Sequence, residues 1–183
     1  VVGEHSRRLM HVIDDINAVA QLDVQPADIT WRAGVDVLCF GGAKMGMPLG
    51  EAVVFFDREL AANFAFRCKQ AGQLASKMRF LSAPWLAVLR DDTWLRHARH
   101  ANAMARRLAS AVAAHPTQPP LYPVEANALF LQMPDDAVAR LRAQGWQFLT
   151  SIGGGARFVC SWATTEAAVD RLAQAIADSL RDG

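Results

Sequence analysis

The sequence predicts an α/β protein in two parts, on three observations. Two short apolar runs, residues 35–40 and 51–56, bracket a loop that holds four glycines and a proline. A long helical stripe of apolar residues begins at Pro84, and beyond a proline-rich stretch the pattern becomes strand, helix, two strands and helix. The chain has 183 residues, 52% of them hydrophobic and 20% charged, which is enough apolar material to bury a core and too much for a disordered chain.

Taken in order, residues 6–22 place Leu9, Val12, Ile13, Ile16 and Val19 or Ala20 at three- and four-residue steps, which predicts an amphipathic helix. Asp28 can cap a short turn into Ile29, Thr30 and Trp31. Residues 35–40 and 51–56 read as buried strands, joined by the loop from Gly41 to Gly50 with Lys44 as its single charge. A helical pattern follows through Leu60, Phe64 and Phe66, until glycine, glutamine and serine interrupt it at residues 72–76. Pro84 fits the first turn of a long helix whose apolar stripe ends before Pro116.

Residues 115–123 contain four prolines and mark a boundary. The expected organisation is therefore a body over 1–84, a connecting helix over 85–115 and a small α+β domain over 116–183. Within that domain strands are expected at 128–133, 147–152 and 157–162, with helices at 135–144 and 165–180. Thr164 or Thr165 with Glu166 supplies the start signal of the last helix. Trp85, Trp94, Trp146 and Trp162 fall on apolar phases and are expected in the core.

The 19 basic and 18 acidic residues leave a formal charge of +1, no basis for a nucleic-acid or anionic-membrane partner. Cys39, Cys68 and Cys160 are odd in number and lie in apolar settings, so they are expected as reduced core residues of an intracellular protein. No apolar run approaches the roughly 20 residues of a membrane span, and no signal pattern opens the chain, so a cytoplasmic protein is expected. A start at Val1 suggests a longer product.

Two residues stand out chemically. Lys44, between Gly42 and Gly46, sits where glycines let the backbone approach a flat or anionic ligand, and a partly desolvated lysine becomes a nucleophile for carbonyl compounds. Composition alone favours a plainer reading, an exposed lysine at the tip of a turn. The loop lacks the glycine spacing and the Gly-Lys-Ser/Thr ending of a phosphate-binding P-loop. Arg157, opening a strand directly after Gly153, Gly154 and Gly155, could hold a carboxylate through two parallel hydrogen bonds or could face water. Lys69 and Arg79 could each reach a phosphate or merely be solvated. His97 and His100 imitate metal-ligand spacing, but with Arg96 and Arg99 around them and no third ligand they read as a solvated helix face.

The stretch DVLCFGGAKMGMPLGEAVVFFD around Lys44 resembles the low-specificity threonine aldolases, pyridoxal-phosphate enzymes of the aspartate aminotransferase fold type. The likeness continues through LDVQPADITWRAGVD, KQAGQLASKMRFLSAPWLAVLRDD and ARFVCSWATTEAAVDRL, and covers roughly residues 17 to 183. It implies part of a fold-type-I large domain followed by a small carboxyl-terminal domain. Lys44 would bind pyridoxal phosphate covalently, with Gly42 beside the cofactor, and Arg157 would hold the substrate carboxylate. Lys69 and Arg79 would lie near the cofactor phosphate or a neighbouring subunit's site.

The family's His-x-Asp-Gly-Ala-Arg stretch, whose aspartate pairs with the pyridinium nitrogen, has no match here, and His11 falls at the aspartate position. The resemblance thus implies the carboxyl-terminal half of a lyase that cleaves L-threonine, L-allo-threonine and related β-hydroxy-α-amino acids to glycine and an aldehyde, working as a cytoplasmic dimer or tetramer. Alternatives are a truncated, non-catalytic binding or oligomerisation module, and another fold-type-I activity such as β-elimination or transamination.

Overall fold

The computed structural model describes residues 10–13, as backbone only, together with 25–114 and 119–181. The chain divides into two compact units, one up to Trp94 and one from Leu95 onward.

The first unit is organised by three strands, β1 (Met10–Ile13), β2 (Val37–Gly41) and β3 (Glu51–Phe55), in that order. β1 runs parallel to β2 with Met10 opposite Val37, and β3 runs antiparallel to β2 with Val37 opposite Phe55. The helix expected over 6–22 is therefore corrected at Met10–Ile13. Pairing with a distant strand satisfies this backbone and overrides a local three-and-four periodicity, as happens where β-branched residues such as Val12 and Ile13 contribute to both patterns. The rest of 6–22 lies outside the described residues.

Between β1 and β2 two single turns of 3-10 helix, Pro26–Ile29 and Trp31–Ala33, bring the chain to the sheet. Asp28 sits inside the first turn, accepting the Gln25 backbone N–H at 3.0 Å and the Arg32 guanidinium at 2.8 Å. Arg32 holds the Asp28 carboxyl below its ordinary value. After β3, α1 (Phe64–Gln70) places Phe64 edge-on to Phe55, with ring centroids 4.8 Å apart.

In place of one long helix from Pro84 there are two. α2 (Arg79–Leu89) carries Pro84 in its interior, and α3 (Thr93–Ala113) starts afresh after a single turn at Arg90–Asp92. The division comes from Asp91 and Asp92, both in the left-handed region at φ 53°, a conformation that aspartate tolerates better than most side chains and that no α-helix can contain. Phe40 of β2 packs against Trp85 and Trp94, with centroids 5.6 and 6.1 Å away.

The second unit has a closed core. Leu108 of α3, Leu129 and Leu131 of β4 (Ala128–Leu131), Leu141 of α4 (Asp135–Ala143) and Ile176 of α5 (Glu166–Arg181) are all fully buried. They meet Phe158 of β5 (Ala156–Val159), which pairs antiparallel with β4. Alanines at 101, 105 and 173 are buried on the inner stripes of α3 and α5, where small side chains let elements approach closely. Thr165 caps α5 by accepting the Ala168 N–H at 3.2 Å.

The strand expected at 147–152 is reduced to one bridge, Leu149 with Arg157. Gly153 and Gly154, at φ 76° and 73°, turn the chain straight back into β5, so the segment runs alongside it too briefly to form a ladder. Of the cysteines only Cys160 is buried, and burial pushes its thiol up to about 11; Cys39 and Cys68 are half-buried. Trp94 is buried and Trp85 and Trp146 half-buried, but Trp162 is exposed because the chain has left β5 by that point; it stacks on His97 with centroids 5.5 Å apart. Among the described residues no helix is long and apolar enough to cross a membrane.

Candidate active site

Lys44 occupies the middle of a one-turn 3-10 helix, Ala43–Met45, set between the ends of β2 and β3. The turn is tied at several points. The Met45 and Met47 N–H groups both donate to the Gly42 carbonyl, at 3.1 and 3.2 Å, and the Gly46 N–H donates to the Ala43 carbonyl. The neck of the loop is closed by the Gly42 N–H donating to the Gly50 carbonyl at 3.1 Å. Gly46 takes φ 96°, which ends the turn in a conformation that glycine adopts without strain.

Gly42 is demanded by space. A Cβ there would stand 2.5 Å from the Gly50 carbonyl oxygen and 2.8 Å from the Met47 sulfur. Met45 and Met47 are buried on either side of Gly46, so the turn is anchored inward by two thioethers while Lys44 projects outward. These methionines were missed in the sequence. Their signal is the apolar side chain at one and three residues beyond the lysine, in a loop otherwise built of small residues. The Glu51 carboxylate lies against Gly41, 3.0 Å from where a Cβ would stand.

The Lys44 side chain is exposed. The desolvation expected of it is therefore not supplied by the described residues of this chain. Lys69 is exposed in the last turn of α1, and Arg79, exposed at the start of α2, lays its guanidinium 5.0 Å over the ring of its neighbour Phe80. Gly42 and Lys44 thus form one built element, Lys69 and Arg79 sit on two others of the same unit, and Arg157 belongs to the second unit.

Arg157 is held as the second residue of β5 by its backbone N–H, which donates to the Leu149 carbonyl at 2.7 Å. Its guanidinium lies 5.8 Å from the centre of the Phe130 ring, and Tyr122 meets that ring edge-on at 5.5 Å. The glycine run before it makes this possible. A Cβ at Gly153 would stand 2.5 Å from the Phe130 ring, and one at Gly155 2.5 Å from the Leu131 carbonyl oxygen.

Arg157 Nε is buried and receives no hydrogen-bond partner among the described residues. A buried charged donor left without an acceptor is costly, and a carboxylate is the group whose two oxygens match a guanidinium edge. Phe130 and Tyr122 were not singled out from sequence, since nothing local marks which aromatic will meet a distant arginine.

On α3, His100 Nε2 lies 2.7 Å from the Thr164 carbonyl oxygen, and His97 lies on Trp162. Among the described residues no group of three His, Cys, Asp or Glu side chains is arranged to hold a metal. Arg107 forms a two-hydrogen-bond pair with Asp170, at 2.9 and 2.8 Å, and holds that carboxyl below its ordinary value.

Residues 15–135 match the family described as beta-eliminating lyase. The chain is 61% identical over 158 residues to the low specificity L-threonine aldolase of Pseudomonas sp. (strain NCIMB 10558), covering 86% of this chain and 46% of that one. It is 60% identical over 161 residues to the low specificity L-threonine aldolase of Pseudomonas aeruginosa, covering 87% and 46%. The chain therefore spans about half the length of the curated relatives it matches.

Among solved structures it is similar to the Leishmania major threonine aldolase, with a TM-score of 0.79 at 23% identity over 92% of this chain and 51% of that one. It is also similar to a Burkholderia pseudomallei sphingosine-1-phosphate lyase, with a TM-score of 0.59 at 18% identity over 81% and 38%. The fold is thus that of the fold-type-I enzymes the resemblance implied.

Proposed function

The chain belongs to the beta-eliminating lyase family, and from that footing we propose that it is the Lys44- and Arg157-bearing half of a pyridoxal-phosphate lyase of threonine aldolase type. The reaction is cleavage of L-threonine, L-allo-threonine and related β-hydroxy-α-amino acids to glycine and an aldehyde. The observation that carries the reading is the Lys44 turn: an outward amine on a short, doubly anchored loop whose glycine at 42 leaves no volume for a side chain. The identity to the two Pseudomonas aldolases supports the choice of substrate.

The residues present fit the cofactor in part. Lys44 supplies the amine, Gly42 and the closed neck of the loop keep the backbone clear beside it, and the unpartnered Arg157 Nε suits a substrate carboxylate. Pyridoxal phosphate, when bound, supplies an electron sink for the pair released from the breaking Cα–Cβ bond. Arg157 binds the carboxylate through two N–H groups and so fixes the rotation of the amino acid about its Cα, which decides which bond stands ready to break. Lys44 Nζ would hold the cofactor, and Lys69 and Arg79 would add positive charge for its phosphate.

The carboxylate that would pair with a pyridinium nitrogen is absent from its family position, where His11 stands on β1. Full turnover therefore requires groups beyond those on this chain's described elements. We assign the complete enzyme to the cytoplasm as a homo-oligomer. β-Elimination on the same lysine is the second reading, favoured by the family description, and a substrate panel separates the two.

The test is chemical. Lys44, Lys69 and Lys77 are the lysines of the chain. Incubation with pyridoxal phosphate, borohydride reduction and peptide mapping should place the label on Lys44, with a near-violet absorbance band that borohydride removes and that Lys44→Ala lacks. Equal labelling of the three lysines, or an unchanged band in Lys44→Ala, overturns the proposal.

A further inference from the structure

Phe130 and Arg157 stand directly opposite each other in the antiparallel register of β4 and β5. Each turns its backbone away from the other: the Arg157 N–H donates to the Leu149 carbonyl at 2.7 Å, and the Phe130 carbonyl accepts the Leu121 N–H at 2.9 Å. A cross-strand pair that exchanges no backbone hydrogen bonds is the kind whose side chains come closest. The Arg157 guanidinium accordingly lies over the Phe130 ring. That ring is itself confined. Gly153 comes so near that a Cβ there would stand 2.5 Å from Phe130 Cε1, and Tyr122 meets the ring at an interplanar angle of 85°.

We propose that Phe130, braced by Tyr122 and Gly153, is a positioning residue that orients Arg157 toward a carboxylate without occupying any of its N–H groups. This deepens, and rests on, the reading that Arg157 binds the substrate carboxylate. A guanidinium carries its N–H donors in one rigid fork, and a carboxylate takes two of them in parallel. Holding that fork with a protein carboxylate or carbonyl fills the donors, and a carboxylate also offsets the charge. An aromatic face attracts the cation through its π-system, which asks for no N–H. The other arginines of the unit show the contrast. Arg107 is paired through two hydrogen bonds with Asp170, and Arg140 with the Ser179 carbonyl and Asp136. Arg157 Nε, by comparison, is buried beside a ring and meets no acceptor among the described residues.

The 183-residue chain is labelled with nitrogen-15, and the Arg157 Nε–H resonance is identified by its loss in Arg157→Lys. Sodium acetate is titrated against sodium chloride at equal ionic strength and about pH 6, where acetate is ionised. A saturable shift of the Arg157 Nε–H with acetate alone is expected. Phe130→Leu, which keeps an apolar side chain on β4 and removes the ring, should weaken the acetate response roughly two- to five-fold. Phe130→Tyr, which keeps the ring, should retain it. Tyr122→Ala, at an exposed position, should weaken it to a smaller extent, and carries the test alone if Phe130→Leu disturbs the fold. Unchanged amide shifts in α4 and α5 show that a variant is folded. An acetate response equal in the unchanged chain and the folded variants overturns the positioning role and leaves the carboxylate reading standing, as does a Phe130→Tyr response as weak as that of Phe130→Leu. No acetate response in the unchanged chain overturns both.

Discussion

At Gly42 a methyl group has nowhere to go, because the nearest atom is a backbone carbonyl oxygen and cannot rotate aside. Gly42→Ala should therefore open the neck of the Lys44 loop, lowering stability locally by about 1–3 kcal/mol and reducing borohydride-trapped cofactor at Lys44. Faster amide exchange at residues 42–50, with β4 and β5 unchanged, is the measurement that checks it. Sequence could reveal this position, since a glycine beside a lone lysine invites the question of why no side chain is allowed. The exposure of Lys44 is the plainer reading that composition favours, a lysine at the tip of a turn. Sequence could not reveal that Phe130 lies beneath Arg157, a contact set by strand pairing and by the close approach of Gly153.

Among the elements, α5 was read almost to its ends because it carries its own start signal. Thr165→Ala removes the oxygen that accepts the Ala168 N–H and should cost about 1 kcal/mol, read as a lower midpoint in urea with an unchanged slope. β2 and β3 were legible for a similar reason: each is a short apolar run stopped by glycine or aspartate. β1 was not, since Val12 and Ile13 satisfy a helical count and a strand equally, and only the presence of β2 alongside decides between them. The break between α2 and α3 was hidden as well. An apolar stripe continues in phase on both sides of it, and nothing in the letters Asp91 and Asp92 announces a left-handed backbone.

For the whole molecule, the two units differ in self-sufficiency. Among the described residues the large buried cluster belongs to the second unit, whereas the first unit buries Val35, Leu38, Met45, Met47, Val88 and Trp94 and exposes many other apolar side chains. A polypeptide of 95–183 alone should unfold cooperatively in urea, and Leu141→Ala in it should cost about 2–5 kcal/mol, the loss for a leucine emptied from a core. A broad transition without a midpoint shift on that substitution would contradict it. Composition could say that the chain holds enough apolar residues for a core, and could not say that they are shared so unevenly. A protease therefore meets its easiest cuts before Leu95, since exposed backbone opens at little cost while a closed core must unfold before it can be cleaved.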